Sequence, residues 1–264
     1  MDDRVSRQYT EWPYPEPIGD LSAVDADYEP GDPSLYGPRI FPERGSYDDL
    51  DIPVAGCGTN QAALYAFKNP KCRILGIDFS ETSLAHERTL KERHKLNNLS
   101  LARLDLLSIN SLNRAFDYIG CTGVLHHLQD ADAGLSALRS VLRLNGALAV
   151  SVYSKHHRAG VYVVQDAFRH LELDQSPEDA QLAKDTLALL PDWHPGKPIL
   201  SIARDTKTLA GVVDLCLHRV DQAFTVDELF DYLARNGFAF QCWQDGEQYS
   251  THWAAKLPDR KSVV

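Results

Sequence analysis

A glycine pair set directly between an apolar run of strand length and a helical segment constrains this chain more than any other feature: Val54-Ala55-Gly56-Cys57-Gly58-Thr59-Asn60-Gln61. Glycine admits the positive φ of a tight turn and lets a ligand approach backbone where a Cβ would collide. The surrounding pattern supplies the frame. DIPVAG, RILGIDF, LSLARLD, FDYIGCTG and ALAVSVY are short apolar runs, and they alternate with helically spaced segments such as SLAHERTLKERHKL and AGLSALRSVLRL. Strands alternating with helices imply right-handed crossovers and a parallel sheet covered on both faces, an α/β fold.

The second predicted strand ends in Gly76-Ile77-Asp78-Phe79-Ser80. Asp78 lies about twenty residues beyond the glycine turn, the spacing at which an acidic residue accepts from ribose hydroxyls. Leu104-Asp105-Leu106 closes the next strand and offers a carboxylate to an adenine amino group. All three elements fall at carboxyl ends of predicted neighbouring strands, where open α/β sheets bind ligands, so together they predict a nucleoside pocket. Singly each has a plainer use, since glycine turns also build structural loops and Asp78 can cap the helix predicted near Ser83.

In order and approximate spacing, GCGTN, GIDFS, LDL and FDYIGCTGVLHHL resemble the class I S-adenosylmethionine-dependent methyltransferases over roughly 51–153. The resemblance implies a Rossmann-like, doubly wound, mostly parallel sheet with flanking helices and methyl transfer from S-adenosyl-L-methionine, leaving S-adenosyl-L-homocysteine. It implies that Gly56, Gly58 and Thr59 line the methionine portion, that Asp78 holds the ribose, and that Cys57, Asn60, Gln61, Phe79 and Ser80 belong to the same cofactor site. Asp105 and Leu106 then face adenine, and Thr122, Gly123 and Val124 stand beside the transferring methyl. RQYTEWPYP, AGCGTNQ and VYSKHHRAGVY are similar to a bacterial group in which this domain often follows tetratricopeptide repeats, and this sequence shows no such repeats. Two positions depart from the family pattern: Val54 stands where an acidic residue is usual, and Asn60 replaces the third glycine, a position that αL-tolerant asparagine suits.

Residues 1–50 are rich in Pro, Gly, Asp and Tyr and predict a mostly irregular arm with one short helix. The domain is expected over 51–264, with its core in 51–153, a helical substrate cap or interface in 154–236, and a closing region in 237–264 that begins with the strand-like run Phe238–Gln244. Helices are expected at 161–171, 178–190, 206–217 and 225–236.

Once the sulfonium has activated the methyl group, orientation supplies most of the acceleration. A hydroxyl or amine acceptor also needs a base, and His126, His127 and Tyr153 are the candidates at the ends of the fourth and fifth strands. Lys155, His156, His157 and Arg158 follow, and Arg158 has the chemistry to pair an anionic acceptor. Tyr9, Trp12 and Tyr14 of the arm can fold over the pocket as a lid, where an aromatic face favours a sulfonium.

The chain has 264 residues, 27 Lys+Arg against 37 Asp+Glu and a formal net charge of −10, a balance that disfavours a nucleic-acid partner. The five cysteines show no zinc-ligand spacing, so no metal is expected. No apolar run approaches the roughly 18 residues of a membrane helix and no signal segment begins the chain, so a cytoplasmic protein without membrane contact is expected, as monomer or homodimer. The acceptor is not specified by the sequence, with a small-molecule oxygen or nitrogen nucleophile preferred. Two other functions fit the motifs less fully: a module that binds S-adenosylmethionine or a partner without catalysis, and an NAD(P)-dependent oxidoreductase, which lacks its third glycine at Gln61.

Overall fold

The computed structural model describes residues 3–24 and 32–244. Five parallel strands form one sheet in the order β3-β2-β1-β4-β5: β1 (Asp51–Ala55), β2 (Arg73–Asp78), β3 (Leu99–Arg103), β4 (Phe116–Thr122) and β5 (Leu142–Ser151). The doubly wound α/β fold expected from the alternation is the one observed. Every residue of β1 is buried, because the strand has a neighbour on each edge and helices over each face. That accounts for the continuous apolar run DIPVA in place of an alternating one.

Helices α3 (Gln61–Lys68), α4 (Glu81–His94) and α5 (Ala131–Ser140) complete the crossovers. Two apolar clusters cover the sheet. One gathers Ile52, Val54, Leu64, Tyr65, Ile74 and Tyr118; the other gathers Ala55, Ile77, Ile119, Leu125, Leu135 and Tyr232. At the amino ends of the strands Asp51 meets Arg73, Arg114 and Arg143, while Asp117 meets Arg143 and Arg44, so the opposite edge from the glycine turn is held by charge.

Beyond β5 the chain builds a helical cap with its own core, Val161, Val164, Phe168, Ala183, Leu187, Val212 and Val213. Its helices are α6 (Ala159–His170), α7 (Pro177–Leu189), α8 (Lys197–Ile202) and α9 (Leu209–Cys216). The cap is closed at its base by a two-stranded parallel pair, β6 (Tyr153–Ser154) with β7 (Ala223–Phe224). Helix α10 (Val226–Arg235) then returns to the sheet through Tyr232, started by a Thr225–Glu228 capping box. The four expected cap helices are present within a few residues, and α8 is an addition.

Two expectations need correction. The arm is more regular than one short helix, with α1 (Asp3–Glu11) and α2 (Pro33–Ile40), because its aromatic residues dock onto the domain. The segment 238–244 forms no strand: Gly237 turns the chain at φ 76°, Phe238 packs into the second cluster, and Phe240 and Trp243 pack with Phe230 of α10. Aromatic residues that read as strand formers are used instead to fix an irregular segment. The rest of the expected closing region, 245–264, lies outside the described residues.

A buried carboxylate anchors the start of α3. Both oxygens of Glu87, on α4, accept backbone N–H groups, from Ala62 and Ala63, each at 2.9 Å. Burial pushes its carboxyl up to about 8, with Asp78 adding to the rise and the two amides opposing it. Replacing Glu87 with alanine leaves two buried donors unmatched and should cost about 3 kcal/mol, a loss of roughly 6 to 12 °C in the melting midpoint for a chain this size. The raised carboxyl binds a proton more tightly folded than unfolded, so its contribution is full below the ordinary glutamate range and is lost as pH rises through about 8. Thermal melts from pH 5 to 8 should therefore slope downward, and Glu87→Gln should flatten that slope.

Candidate functional site

The carboxyl ends of β1, β2 and β4 open into a cavity of about 980 Å³ that the cap and the arm enclose from the other side. Gly56 and Gly58 turn the chain out of β1 at φ 68° and 57°. A Cβ on Gly56 would lie 2.4 Å from Val124 Cγ2, and one on Gly58 would lie 2.8 Å from Pro15 Cδ, so both positions require glycine for space as well as for φ. Both glycines, with Asn60 and Gln61, line the cavity.

Asp78 ends β2 in the cavity wall, buried. Its Oδ2 accepts the Gly58 N–H at 2.9 Å and its Oδ1 accepts the Ser80 N–H at 2.8 Å. The carboxylate is thereby locked to the glycine turn while each oxygen keeps a further lone pair for a ligand hydroxyl. Burial raises the carboxyl, and the amides oppose the rise. Ser80 supplies the helix cap that Asp78 was considered for, since its side chain accepts from Ser83 N.

Of the residues expected around the nucleoside, Gly56, Gly58, Asn60, Gln61, Asp78, Phe79, Leu106, Thr122, Gly123, Val124 and Tyr9 line the cavity. Four do not. Cys57 is fully buried beneath the turn, its thiol bonded to Glu87 and pushed up by burial. Thr59 donates to the Pro15 carbonyl at 2.7 Å, Ser80 donates to the Tyr9 carbonyl, and Asp105 caps the 3-10 turn that follows β3, accepting from Leu107 N. Turn geometry gives alternate residues opposite directions, which a linear motif does not display. Leu104 takes the place beside Leu106 that Asp105 was expected to hold. Val54, at the position of the usual acid, is buried in the first apolar cluster.

Above the end of β4, His126, His127 and Tyr153 meet in the cavity wall. His127 Nδ1 lies 2.8 Å from the Val220 carbonyl, which can only accept, so the ring proton sits on Nδ1 and Nε2 is the accepting nitrogen. That Nε2 faces the Tyr153 hydroxyl at 3.5 Å. His126 is different: its ring stacks on Tyr153 with centroids 3.7 Å apart, neither nitrogen has a hydrogen-bond partner, and burial, then the His127 and Arg158 charges, push its pKa well down. Arg158 closes the other face of Tyr153 at 3.7 Å and is itself buried against Asp221. Its expected role toward an anionic acceptor is thus ruled out by an internal partner. Lys155 pairs with Glu228, and His156 and His157 are exposed, so of the cluster after β5 Tyr153 alone lines the cavity.

The cap contributes groups that no local motif announced: Arg204, Asp205, Thr208 and Asp214. Tyr9 Oη donates to Asp214 Oδ1 at 2.8 Å and Tyr14 Oη donates to Asp205 Oδ1 at 2.6 Å, so the arm is tied to the cap across the cavity. Trp12 is placed outside the cavity, its Nε1 donating to the Gln175 carbonyl. Ligand atoms of His127, Asp214 and His218 lie within 4.8 Å of one another. Their hydrogen bonds already commit them: His218 Nδ1 accepts from Val220 N, which leaves its proton on Nε2, facing the Tyr9 hydroxyl. The trio is a set of groups already bonded to neighbours rather than three open ligand atoms.

A parallel sheet whose first strand ends in a glycine turn, and whose second ends in a carboxylate bonded to that turn, defines a nucleoside-binding α/β domain. Residues 54–148 match the family model described as a methyltransferase domain. Residues 54–148 thus form a methyltransferase domain. It is 35% identical over 173 residues to an uncharacterized protein of Synechococcus sp., an alignment covering 64% of this chain and 41% of that one. An uncharacterized protein of Rickettsia prowazekii is 32% identical over 105 residues, 39% of this chain and 41% of that one. The chain therefore spans about two-fifths of the length of these relatives. In fold it resembles PKMT2 from Rickettsia typhi in complex with AdoHcy, with a TM-score of 0.63 at 19% identity over 92% of this chain and 50% of that one.

Proposed function

We propose that this domain binds S-adenosylmethionine between the glycine turn and Asp78 and passes its methyl group to a small nucleophile held under the cap. The observation that carries this reading is the buried Asp78 carboxylate, fixed to Gly58 N and facing the cavity. Its remaining lone pairs suit the two ribose hydroxyls, while Leu104 and Leu106 offer an apolar slot for the base. The cavity is of the size that small-molecule sites occupy, roughly 300 to 1,000 Å³. The match of residues 54–148 to the methyltransferase model, and the AdoHcy in the similarly folded PKMT2, support the choice of cofactor.

When bound, the sulfonium supplies an activated methyl carbon. The protein's share is orientation and proton removal. Gly56, Gly58, Asn60, Gln61 and Tyr9 hold one partner, the cap holds the other, and both are kept from water. His127 is the base we assign, because the Val220 carbonyl fixes its tautomer and leaves Nε2 toward the cavity. The Tyr153 ring, clamped between His126 and Arg158, keeps its hydroxyl opposite that nitrogen.

Thermal unfolding with S-adenosylmethionine, S-adenosylhomocysteine, NADH and NADPH tests the cofactor. A ligand at a hundred times its dissociation constant adds about 2.7 kcal/mol, or roughly 5 to 11 °C here. A shift with the sulfur nucleosides alone is expected; a shift with the dinucleotides alone would return the glycine turn to an oxidoreductase. A cytoplasmic setting belongs to the same proposal. All five cysteines are free thiols, as in a reducing compartment, and no described helix is long and apolar enough to cross a membrane.

A further inference from the structure

The cap side of the cavity has an unusual charge balance. Asp214 is 3% exposed, accepts from Tyr9 Oη, and has no lysine or arginine paired with it among the described residues. Asp205 lines the same space and accepts from Tyr14 Oη. Three phenol rings, Tyr9, Tyr14 and Tyr153, complete the wall. Burial, followed by the Asp214 carboxylate, raises all three phenols, which places these groups around one volume.

A carboxylate in a dry wall is costly unless a cation meets it. The bases around Asp214 do not supply one, while Arg204, which is exposed, lines the same cavity next to Asp205. Burial and the His127 charge hold His218 down at about 2, His126 is likewise depressed by burial, and Arg158 is spent on Asp221. Burial also raises the Asp214 carboxyl, with His127 and the Tyr9 bond opposing. Two carboxylates beside the Tyr9 and Tyr14 rings, with the Tyr153 hydroxyl in the same wall, match one ligand chemistry, a compact organic cation, which aromatic rings and carboxylates both attract.

We propose that the acceptor is a free aliphatic amine, which enters as its ammonium and is held by Asp214 and Asp205 among Tyr9, Tyr14 and Tyr153. This rests on the reading of the cavity as a methyl-transfer site. The base stands beside the anchor, since ligand atoms of His127 and Asp214 lie within 4.8 Å. The ammonium gives one proton to His127 Nε2, and the freed nitrogen lone pair forms the new C–N bond to the methyl carbon as the C–S bond breaks. The broken bond's electron pair stays on sulfur, and His127 releases its proton to solvent. The product is again a cation, so the same carboxylates hold it. A free amine is favoured over a side chain of a folded protein because the Tyr9 and Tyr14 bonds tie the arm to the cap across the cavity.

The test is calorimetric titration of n-butylamine, n-butanol and butyrate into protein saturated with S-adenosylhomocysteine. Butylamine should bind at least tenfold more tightly than the alcohol or the acid. Asp214→Asn should lower that affinity tenfold or more and leave S-adenosylhomocysteine affinity within twofold; Asp205→Asn gives the same readout where the first variant fails to fold. An alcohol that binds as well as the amine overturns the proposal. So does a tenfold loss of S-adenosylhomocysteine affinity in Asp214→Asn, which would assign the carboxylate to the cofactor's own ammonium in place of the missing acid at Val54. A lysine-containing heptapeptide binding more tightly than butylamine would overturn the free-amine source. Failure of wild-type protein to bind S-adenosylhomocysteine would remove the methyl-transfer reading itself, and binding of the nucleoside without any amine preference would remove this inference alone.

Discussion

Asp78→Ala should weaken S-adenosylhomocysteine binding by about two to three orders of magnitude. A hydrogen bond to a charged group contributes roughly 1.5 to 3 kcal/mol, and the carboxylate is placed to accept from two ribose hydroxyls, so their joint loss, with each taken toward the lower end of that range, comes to about 3 to 4 kcal/mol. The substitution also releases the N–H groups of Gly58 and Ser80, which the carboxylate holds at 2.9 and 2.8 Å, so the glycine turn loses its anchor. Calorimetry reads the affinity, and a melt of the free variant separates the two effects, because loss of the turn alone lowers the midpoint without a matching loss of affinity. Acid should act in the same direction. Burial raises the Asp78 carboxyl, so protonation begins at a higher pH than for an exposed aspartate and affinity should fall earlier on acidification. An Asp78→Ala protein that folds and binds the nucleoside at wild-type strength would show that this carboxylate serves the turn only.

His127→Ala should lower kcat by roughly 10² to 10⁴, the usual worth of a positioned base, with S-adenosylhomocysteine affinity nearly unchanged. The geometry separates the two adjacent histidines. His127 has one nitrogen tied to Val220 O and the other toward Tyr153 Oη, whereas His126 is a buried, unpartnered ring stacked on Tyr153. His126→Ala should therefore act through the position of Tyr153 and cost stability, as a buried large-to-small change does, in addition to turnover. Steady-state kinetics with an accepted amine, beside melts of both variants, checks the split. Near-normal turnover in His127→Ala would leave orientation alone as the source of rate, which effective molarities allow in principle.

The parts of the site visible in sequence are those built from contiguous chain. Val54 to Gln61 and Gly76 to Ser80 are each a strand end running into a helix, so the residue types needed for the turn, the cap and the carboxylate sit within a few positions of one another. Even there, direction was hidden: Cys57 and Thr59 alternate with Gly56 and Gly58 along the turn, and the alternation points them away from the cavity. Asp105 was misplaced for a related reason, because a carboxylate at the end of a strand is also the natural cap of the 3-10 turn that follows.

The cap residues carried no such signal. Asp205 precedes α9 and Asp214 lies within it, in a stretch whose composition marks only an apolar helix, and their meaning comes from Tyr14 and Tyr9, which lie 191 and 205 residues away. Likewise Arg158 looks in sequence like a cation offered to a ligand, and its partner Asp221, 63 residues on, withdraws it into the core.

By itself the sequence determined the alternating strands and helices, the parallel sheet and the glycine-and-aspartate end of the cavity, since periodicity and turn chemistry are local properties of the chain. Tertiary structure alone decided which histidine turns an accepting nitrogen to the Tyr153 hydroxyl, where Arg158 spends its charge, and that two carboxylates and three tyrosines share a wall. Those outcomes depend on hydrogen-bond partners and burial brought together by packing the arm and cap over the sheet, and no spacing along the chain encodes them.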